Sequence, residues 1–148
     1  MNEVKKILVP VDFSENSQKV LHTAEDVAAR FKAELVVVFV VQSFDDYSGF
    51  FVPHIPVIQL EEEMVKSAGE KMKSFVAETL NGSVPYSTEV LSGDVVEEIN
   101  RFAEQEKVGM IVMGTHGYKG LDKILFGSVA EKIVKTAPCP VLTINPYR

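Results

Sequence analysis

Short apolar segments rich in β-branched residues alternate along the chain with longer segments in which apolar residues recur every three or four positions. The first pattern predicts strands that are covered on both faces, and the second predicts helices with one apolar face. The predicted order is β-α-β-α-β-α-β-α-β. Because such alternation requires crossover connections, we expect one α/β domain over residues 1–148, in which helices cover both faces of a doubly wound, mostly parallel sheet of five strands.

The predicted strands follow one another at regular intervals, at residues 5–13, 33–42, 84–93, 108–114 and 138–146. The segment 84–93 alternates between apolar and polar residues, which places it near an edge of the sheet. Between the strands we predict four helices, over 14–31, over 60–80, after Gly93-Asp94 and from Gly127-Ser128 onward.

The second helix follows a predicted loop at 43–56 that is rich in aromatic, Asp, Gly and Pro residues. It has a long apolar stripe, which we expect to face the core. The stripe consists of Leu60, Met64, Ala68, Met72, Phe75, Val76 and Leu80.

Ligands of open parallel sheets bind at the carboxyl ends of the strands, where the strand order reverses. This rule indicates three segments, 10–12, 40–42 and 113–117. Pro10 has no N–H for a strand ladder and therefore predicts the end of the first strand. Asp12 has two interpretations, because it is placed to accept a ribose hydroxyl and it also begins a D-x-x-E pattern typical of a helix N-cap.

Four of the nine glycines lie between residues 114 and 127, and Ser128 follows the last of them. Neither the P-loop pattern nor a G-x-G-x-x-G after the first strand is present. Ser128-x-x-Glu131 has the form of a capping box, which predicts that a helix begins here. The free N–H groups and the dipole of such a helix start favour an anion.

The charge of this segment agrees with an anion site, because four lysines face two acids between residues 118 and 135. Gly114 ends a buried strand, Gly117 allows a sharp turn, and the Ser128 hydroxyl is placed to cap the helix or to contact a phosphate oxygen. The local pattern leaves two interpretations open, a phosphate site and a plain glycine-rich connection. The nine-residue spacer, whose apolar residues could anchor a defined flap, favours the phosphate site.

The pattern Gly114-x-x-Gly117-x(9)-Gly127-Ser128 resembles the nucleotide-binding signature of the universal stress protein family, in its ATP-binding branch. The resemblance covers the whole chain, from "ILVPVDFSENS" to "GSVAEKIVKTAPCPVLTI". It implies a Rossmann-like, five-stranded parallel sheet of the adenine nucleotide α-hydrolase-like type. It also implies ATP with Mg²⁺ or Mn²⁺ on the phosphates, and a homodimer formed through the C-terminal strand at 140–145.

The resemblance assigns a role to each matching position. Asp12 lies near the ribose and adenine, Pro10 and Val11 shape that pocket, and the backbone of Val40 faces the adenine. Met113 and Gly114 lie against the nucleoside. The phosphates are held by Gly117, Gly127, Ser128 and Val129. The match is imperfect at Phe39, which occupies a position often held by His in the family.

His116 lies inside the glycine segment, where it is a candidate phosphate contact or a solvent-exposed residue. A catalytic role for it has no partner that the sequence identifies. We predict no catalytic residue and no metal ligand from the protein.

The overall charge excludes several classes of partner. The formal net charge is −6, which argues against a general nucleic-acid surface or an anionic membrane surface. The apolar run near the N-terminus is too short for a signal peptide or a membrane span, so we expect a cytoplasmic protein. The single cysteine, Cys139, cannot form an intramolecular disulfide and is expected to be a small buried apolar residue.

Our first hypothesis is a small ATP-binding regulatory module of the stress response, which acts on an unknown protein partner. Hydrolysis should be slow at most, because 102–147 contains no Arg and no identifiable base for water attack. One alternative is a sensor of AMP, adenosine or a cyclic nucleotide. Another is a genuine ATPase or nucleotidyl transferase, against which "PVDFSENS" counts because it lacks the paired glycines of an SGGxDS-type loop.

Overall fold

The computed structural model describes residues 3–42, 57–116 and 121–148. The predicted loop at 43–56 and the predicted phosphate contact Gly117 lie outside the described residues. Within them, strands and helices follow one another in the predicted order. They are β1 (Lys6–Pro10), α1 (Glu15–Phe31), β2 (Glu34–Gln42), α2 (Val57–Thr79), β3 (Tyr86–Gly93), α3 (Val95–Gln105), β4 (Met110–Gly114), α4 (Leu121–Thr136) and β5 (Val141–Ile144).

The five strands form one parallel sheet in the order β3-β2-β1-β4-β5, so the predicted doubly wound α/β fold is confirmed. β3 lies at an edge, as its alternating pattern predicts. The chain runs from β1 outward to β3 and then returns to the other side of β1 for β4 and β5. The order therefore reverses at β1, and the carboxyl ends beside β1 are where this architecture binds ligands.

The sheet separates two apolar cores, because neighbouring residues of a strand face opposite sides. On one side Val37 packs with residues of α1 and α2, including Leu21 and Met72. On the other side Val38 packs with residues of α3 and α4, including Ile99. Burial of both faces explains why the inner strands are continuous apolar segments. Helices on both faces of the sheet are thereby confirmed.

The apolar stripe of α2 is buried only in its later turns. Met72, Phe75 and Val76 are buried, whereas Leu60 and Met64 are 38% and 40% exposed, so the predicted core position of these two residues is wrong. The 23 residues of α2 extend about 34 Å, whereas the eight residues of β3 extend about 26 Å. The first turns of α2 therefore extend past the carboxyl ends of the strands and have no sheet to cover them.

Helix α4 begins at Leu121, so the predicted start at Gly127-Ser128 is wrong. These residues are the seventh and eighth of the helix, and Ser128 is not its cap. A single glycine inside a helix costs only about 1 kcal/mol relative to alanine. A Cβ atom on Gly127 would lie 3.4 Å from the carbonyl oxygen of Thr115, so α4 passes within one side-chain contact of the residue that follows β4.

The N–H groups of Gly127 and Ser128 are consequently not the free amides of a helix start. In an α-helix only the first four N–H groups lack a partner within the helix, and these two residues lie beyond that turn. A ligand that reaches this part of α4 would meet side chains rather than free backbone amides.

Candidate functional site

A cavity of about 300 Å³ opens at the carboxyl edge of the sheet, between the ends of β1 and β2, the first turn of α3 and the middle of α4. We call it the carboxyl-edge cavity. Its volume is at the lower end of the range of small-molecule pockets. Six of the predicted site residues line it, namely Pro10, Val11, Asp12, Val40, Ser128 and Val129. Residues from both ends of the chain therefore meet where the strand order reverses.

Four other predicted site residues do not line this cavity. Met113 is fully buried in the core under α3 and α4. Gly114 is buried at the end of β4, and Gly127 lies against Thr115. His116 Nδ1 lies 2.8 Å from Thr115 Oγ1, and its ring packs edge-on against Tyr147 with the ring centroids 5.1 Å apart. His116 thus contacts the C-terminal residues.

Asp12 follows β1 and begins the turn into α1. Its Oδ1 accepts hydrogen bonds from the backbone N–H and hydroxyl of Ser14 and from the hydroxyl of Ser17. Its Oδ2 is buried and has no hydrogen-bond partner in the described part of the chain. A buried acceptor without a partner costs about 1–3 kcal/mol. Asp12 therefore lines the cavity and carries an unused acceptor that the surrounding protein covers.

The N-cap of α1 is Ser14, whose hydroxyl accepts the N–H of Ser17 at 3.1 Å. The alternative interpretation of Asp12 as the helix cap is therefore wrong. The D-x-x-E pattern was misleading because Ser14, two residues later, is an equally good cap and has the extended backbone that an N-cap requires.

Phe13 occupies the left-handed region, with φ of 67°. A bulky residue rarely adopts this conformation, and the strain costs about 1–3 kcal/mol. Its ring packs against Phe39 and Phe75, with centroids 4.6 and 5.5 Å away. These aromatic contacts hold the sharp turn that follows Asp12. Phe39, the position at which the family resemblance is imperfect, therefore supports this turn and also lines the cavity.

Besides Asp12, two charged side chains of opposite sign line the cavity, one at the start of α3 and one on α4. Asp94 is the N-cap of α3 and accepts the N–H of Glu97 at 3.1 Å. Lys132 lies on α4, four residues after Ser128, so both side chains are on the same face of the helix. This face of α4 therefore presents a hydroxyl and a cation to the same cavity.

Eight lining residues have no predicted site role, although one of them, Gln42, ends the segment 40–42 that the strand-end rule indicates. They are Val38, Phe39, Gln42, Asp94, Val95, Val96, Ile99 and Lys132. The rule of carboxyl strand ends would have included Asp94 if it had been applied to β3, which ends at Gly93. The sequence indicated Lys132 only weakly, through the excess of lysines between residues 118 and 135.

Cys139 is only partly buried, at the edge of the core under α3 and α4, so the prediction of a buried residue is wrong. Burial raises the pKa of its thiol above the ordinary value, against a smaller opposite effect of the backbone hydrogen bond at Ile111. A raised pKa keeps the thiol protonated at neutral pH and makes it a poor nucleophile.

Within 3–42, 57–116 and 121–148, no group of three or more His, Cys, Asp or Glu side chains is arranged to hold a metal ion. None of the helices in these ranges combines the length and apolarity that are needed to span a bilayer.

The fold and this site define a doubly wound α/β domain with a small-molecule cavity at the point where the strand order reverses. The sequence model of the universal stress protein family matches residues 3–145. Universal stress protein MJ0531 of Methanocaldococcus jannaschii is 39% identical over 146 residues, which cover 97% of this chain and 84% of that protein. The chain therefore belongs to the universal stress protein family.

Solved structures agree with this assignment. Universal stress protein UspA from Lactobacillus plantarum superposes with a TM-score of 0.74 at 28% identity, covering 98% of this chain and 100% of that one. The universal stress protein from Archaeoglobus fulgidus in complex with dAMP gives a TM-score of 0.69 at 22% identity, covering 97% of this chain and 100% of that one. The second comparison is evidence for the shared fold.

Proposed function

We propose that this protein binds an adenine nucleotide, ATP with Mg²⁺ or Mn²⁺, in the carboxyl-edge cavity and acts as a small cytoplasmic regulatory module of the stress response. The observation that carries the proposal is the buried, unpartnered Oδ2 of Asp12 beside a cavity whose α4 wall holds Ser128 and Lys132. An acceptor on one side with a hydroxyl and a cation on the other matches a ligand that has sugar hydroxyls at one end and phosphates at the other.

The walls between these groups suit a purine. Pro10 and Val40 lie at the strand ends, and Val95, Val96 and Ile99 line the cavity from α3. Flat apolar ligands gain most from such surfaces, while a few polar groups fix their orientation. The A. fulgidus protein that was solved in complex with dAMP has the same fold, which supports the idea that this architecture can hold an adenine nucleotide.

The proposed phosphate contacts are the Lys132 ammonium and the Ser128 hydroxyl, with Val129 beside them. Gly117 remains a proposed phosphate contact, and Gly127 keeps the secondary role of holding this turn of α4 beside Thr115. Met113, Gly114 and His116 keep the secondary role of shaping the end of β4. Because the described residues offer no cluster of three metal-binding side chains, the divalent ion in this proposal is carried by the phosphate oxygens, as is common for Mg²⁺.

A binding role is favoured over rapid hydrolysis. Phosphoryl transfer depends on groups that position the nucleophile and neutralise charge on the γ-phosphate. The segment 102–147, which contains α4 and the glycine pattern, has no arginine. We therefore expect a ligand that stays bound long enough to change how the protein interacts with a partner.

Calorimetric titration of the purified protein with ATP, ADP, AMP, adenosine and cyclic AMP tests the proposal. We expect ATP to bind most tightly, because its β- and γ-phosphates add negative charge that Lys132 and a bound divalent ion can neutralise, whereas AMP and cyclic AMP carry a single phosphate. Equal or tighter binding of AMP or cyclic AMP would favour the sensor alternative. Failure of every adenine compound to bind would refute the proposed site, and single-turnover hydrolysis within seconds would favour the enzyme.

We further propose that two copies pair through β5, within the predicted interface at 140–145. β5 is an edge strand, and edge strands present unpaired N–H and C=O groups to a partner. Leu142 on β5 is 38% exposed and Val134 on α4 is 55% exposed. Sedimentation velocity at micromolar concentration is expected to give a dimer that the substitution Leu142→Asp converts to a monomer. A monomeric wild-type protein would contradict this pairing.

A further inference from the structure

The hydroxyls of Ser14 and Ser17 are both bonded to one oxygen of the Asp12 carboxylate. The Ser17 hydroxyl lies 2.6 Å from Oδ1, and the Ser14 hydroxyl also donates to it. The backbone N–H of Ser14 donates to the same oxygen at 3.0 Å. Three donors exceed the two lone pairs of a single oxygen, so Oδ1 has no capacity left for a ligand.

The direction of each serine hydrogen follows from its other bond. Ser14 Oγ accepts the N–H of Ser17 at 3.1 Å, and Ser17 Oγ accepts the N–H of Asp12 at 2.9 Å. Each oxygen therefore receives an amide hydrogen and directs its own hydroxyl hydrogen to Oδ1. Both serines are buried, with exposures of 5% and 4%, so water does not compete for these bonds.

Capping of α1 does not by itself require this arrangement. The cap needs only the bond from Ser17 N–H to the Ser14 oxygen, and the Ser17 side chain has no part in that bond. What the two hydroxyls do together is fix the torsion angles of the Asp12 side chain. The unpartnered oxygen, Oδ2, is then held in one orientation.

We infer that Ser14 and Ser17 are positioning residues that hold Asp12 so that Oδ2 accepts a hydroxyl of the ligand's ribose. This inference rests on the proposed function of the carboxyl-edge cavity. The two serines act through Asp12 and do not touch the ligand. Their contribution to binding should depend on the sugar hydroxyls of the ligand, because the contacts of the base and the phosphates do not involve Asp12 in this proposal.

The test compares ATP with 2′,3′-dideoxy-ATP, which lacks both hydroxyls, in the presence of Mg²⁺. A hydrogen bond to a charged group corresponds to about a 10-fold preference or more for ATP in the wild-type protein. We expect Ser17→Ala, which keeps the Ser14 cap of α1, to bind ATP within about twofold of dideoxy-ATP, while its affinity for dideoxy-ATP stays unchanged. Ser14→Ala also removes the cap, and it should lose the preference as well. Ser14→Thr keeps both the hydroxyl and the helix cap, so this variant should retain the wild-type preference for ATP over dideoxy-ATP.

Two results would overturn the inference. One is a parallel loss of affinity for both nucleotides, which a merely structural role predicts. The other is full retention of the preference in the alanine variants. Asp12→Asn serves as the reference. If the serines act only through Asp12, the double variant Asp12→Asn/Ser17→Ala should show the same preference between ATP and dideoxy-ATP as Asp12→Asn alone.

A ligand-free measurement separates this inference from the proposed function. Crystal structures of the wild-type protein and of the Ser14→Ala/Ser17→Ala variant report the position of the Asp12 carboxylate directly. We expect the carboxylate to adopt another rotamer or to lose defined density in the variant. An unchanged carboxylate would refute the positioning role even if ATP binds, and a displaced one would support it even if the ligand proves not to be ATP.

Discussion

Replacing Gly127 by valine is expected to weaken ATP binding by about 100-fold, because overpacking a close contact costs up to about 3 kcal/mol. A Cβ on this residue would lie 3.4 Å from the Thr115 carbonyl oxygen, so the two methyl groups of valine add bulk where the helix is already in contact with the residue that follows β4. The substitution should push α4 away from the end of β4. Ser128 and Lys132 would move with the helix and leave the cavity wall. Calorimetry with ATP and Mg²⁺ measures the effect.

Alanine is the matched control at the same position. Its single methyl group meets the Thr115 oxygen at an ordinary contact distance, and alanine favours the helix by about 1 kcal/mol over glycine. We therefore expect Gly127→Ala to unfold at higher urea concentration and to bind ATP within a few-fold of the wild-type protein. Both variants should keep nearly the same far-UV circular dichroism. Wild-type affinity in the valine variant would contradict the proposed role of this face of α4.

Reversing the charge of Lys132 is expected to weaken ATP binding by about 100-fold as well, because a hydrogen bond between an ammonium and a phosphate contributes about 1.5–3 kcal/mol. Lys132→Glu also places a negative charge beside the phosphates. Adenosine has no phosphate, so its affinity should change by less than about twofold. The two titrations together separate loss of a phosphate contact from general damage to the cavity.

Lys135→Glu controls for the change in net charge. Lys135 is on the same helix and pairs with Glu131 at 3.2 Å, but it does not line the cavity. Exposed pairs of this kind contribute about 0.3–0.5 kcal/mol to stability, and we expect no more than a twofold change in ATP affinity. If Lys132→Glu and Lys135→Glu weaken ATP binding equally, the effect is long-range electrostatics and the specific contact is refuted.

The order of strands and helices was predictable because local patterns record it. Continuous apolar runs such as that of β2 occur where both faces of a strand are buried, and the period of α1 occurs where one face of a helix is buried. The edge position of β3 also followed from its alternation. The exposure of Leu60 and Met64 was not predictable, because it depends on how far α2 extends past the ends of the strands.

The site was predictable in part, and there is a physical reason why some of its lining residues could be predicted and others could not. Pro10, Val11, Asp12 and Val40 lie at the carboxyl ends of neighbouring strands, so a general rule about parallel sheets located them. Asp94 and Lys132 reach the cavity from two helices on the same side of the sheet. Their convergence depends on the packing of α3 and α4 over β1 and β2, which no local pattern contains.

The sequence by itself determined the family, the succession of elements and the acidic residue at the end of β1, since these depend on short-range patterns and on residue types at fixed spacings. Only the tertiary structure decided that α4 continues through Gly127, that Ser14 rather than Asp12 caps α1, and that one oxygen of Asp12 is left without a partner. The observations that decided these three points are the start of α4 at Leu121, the extended backbone at Ser14, and the two buried hydroxyls that both bond to Oδ1.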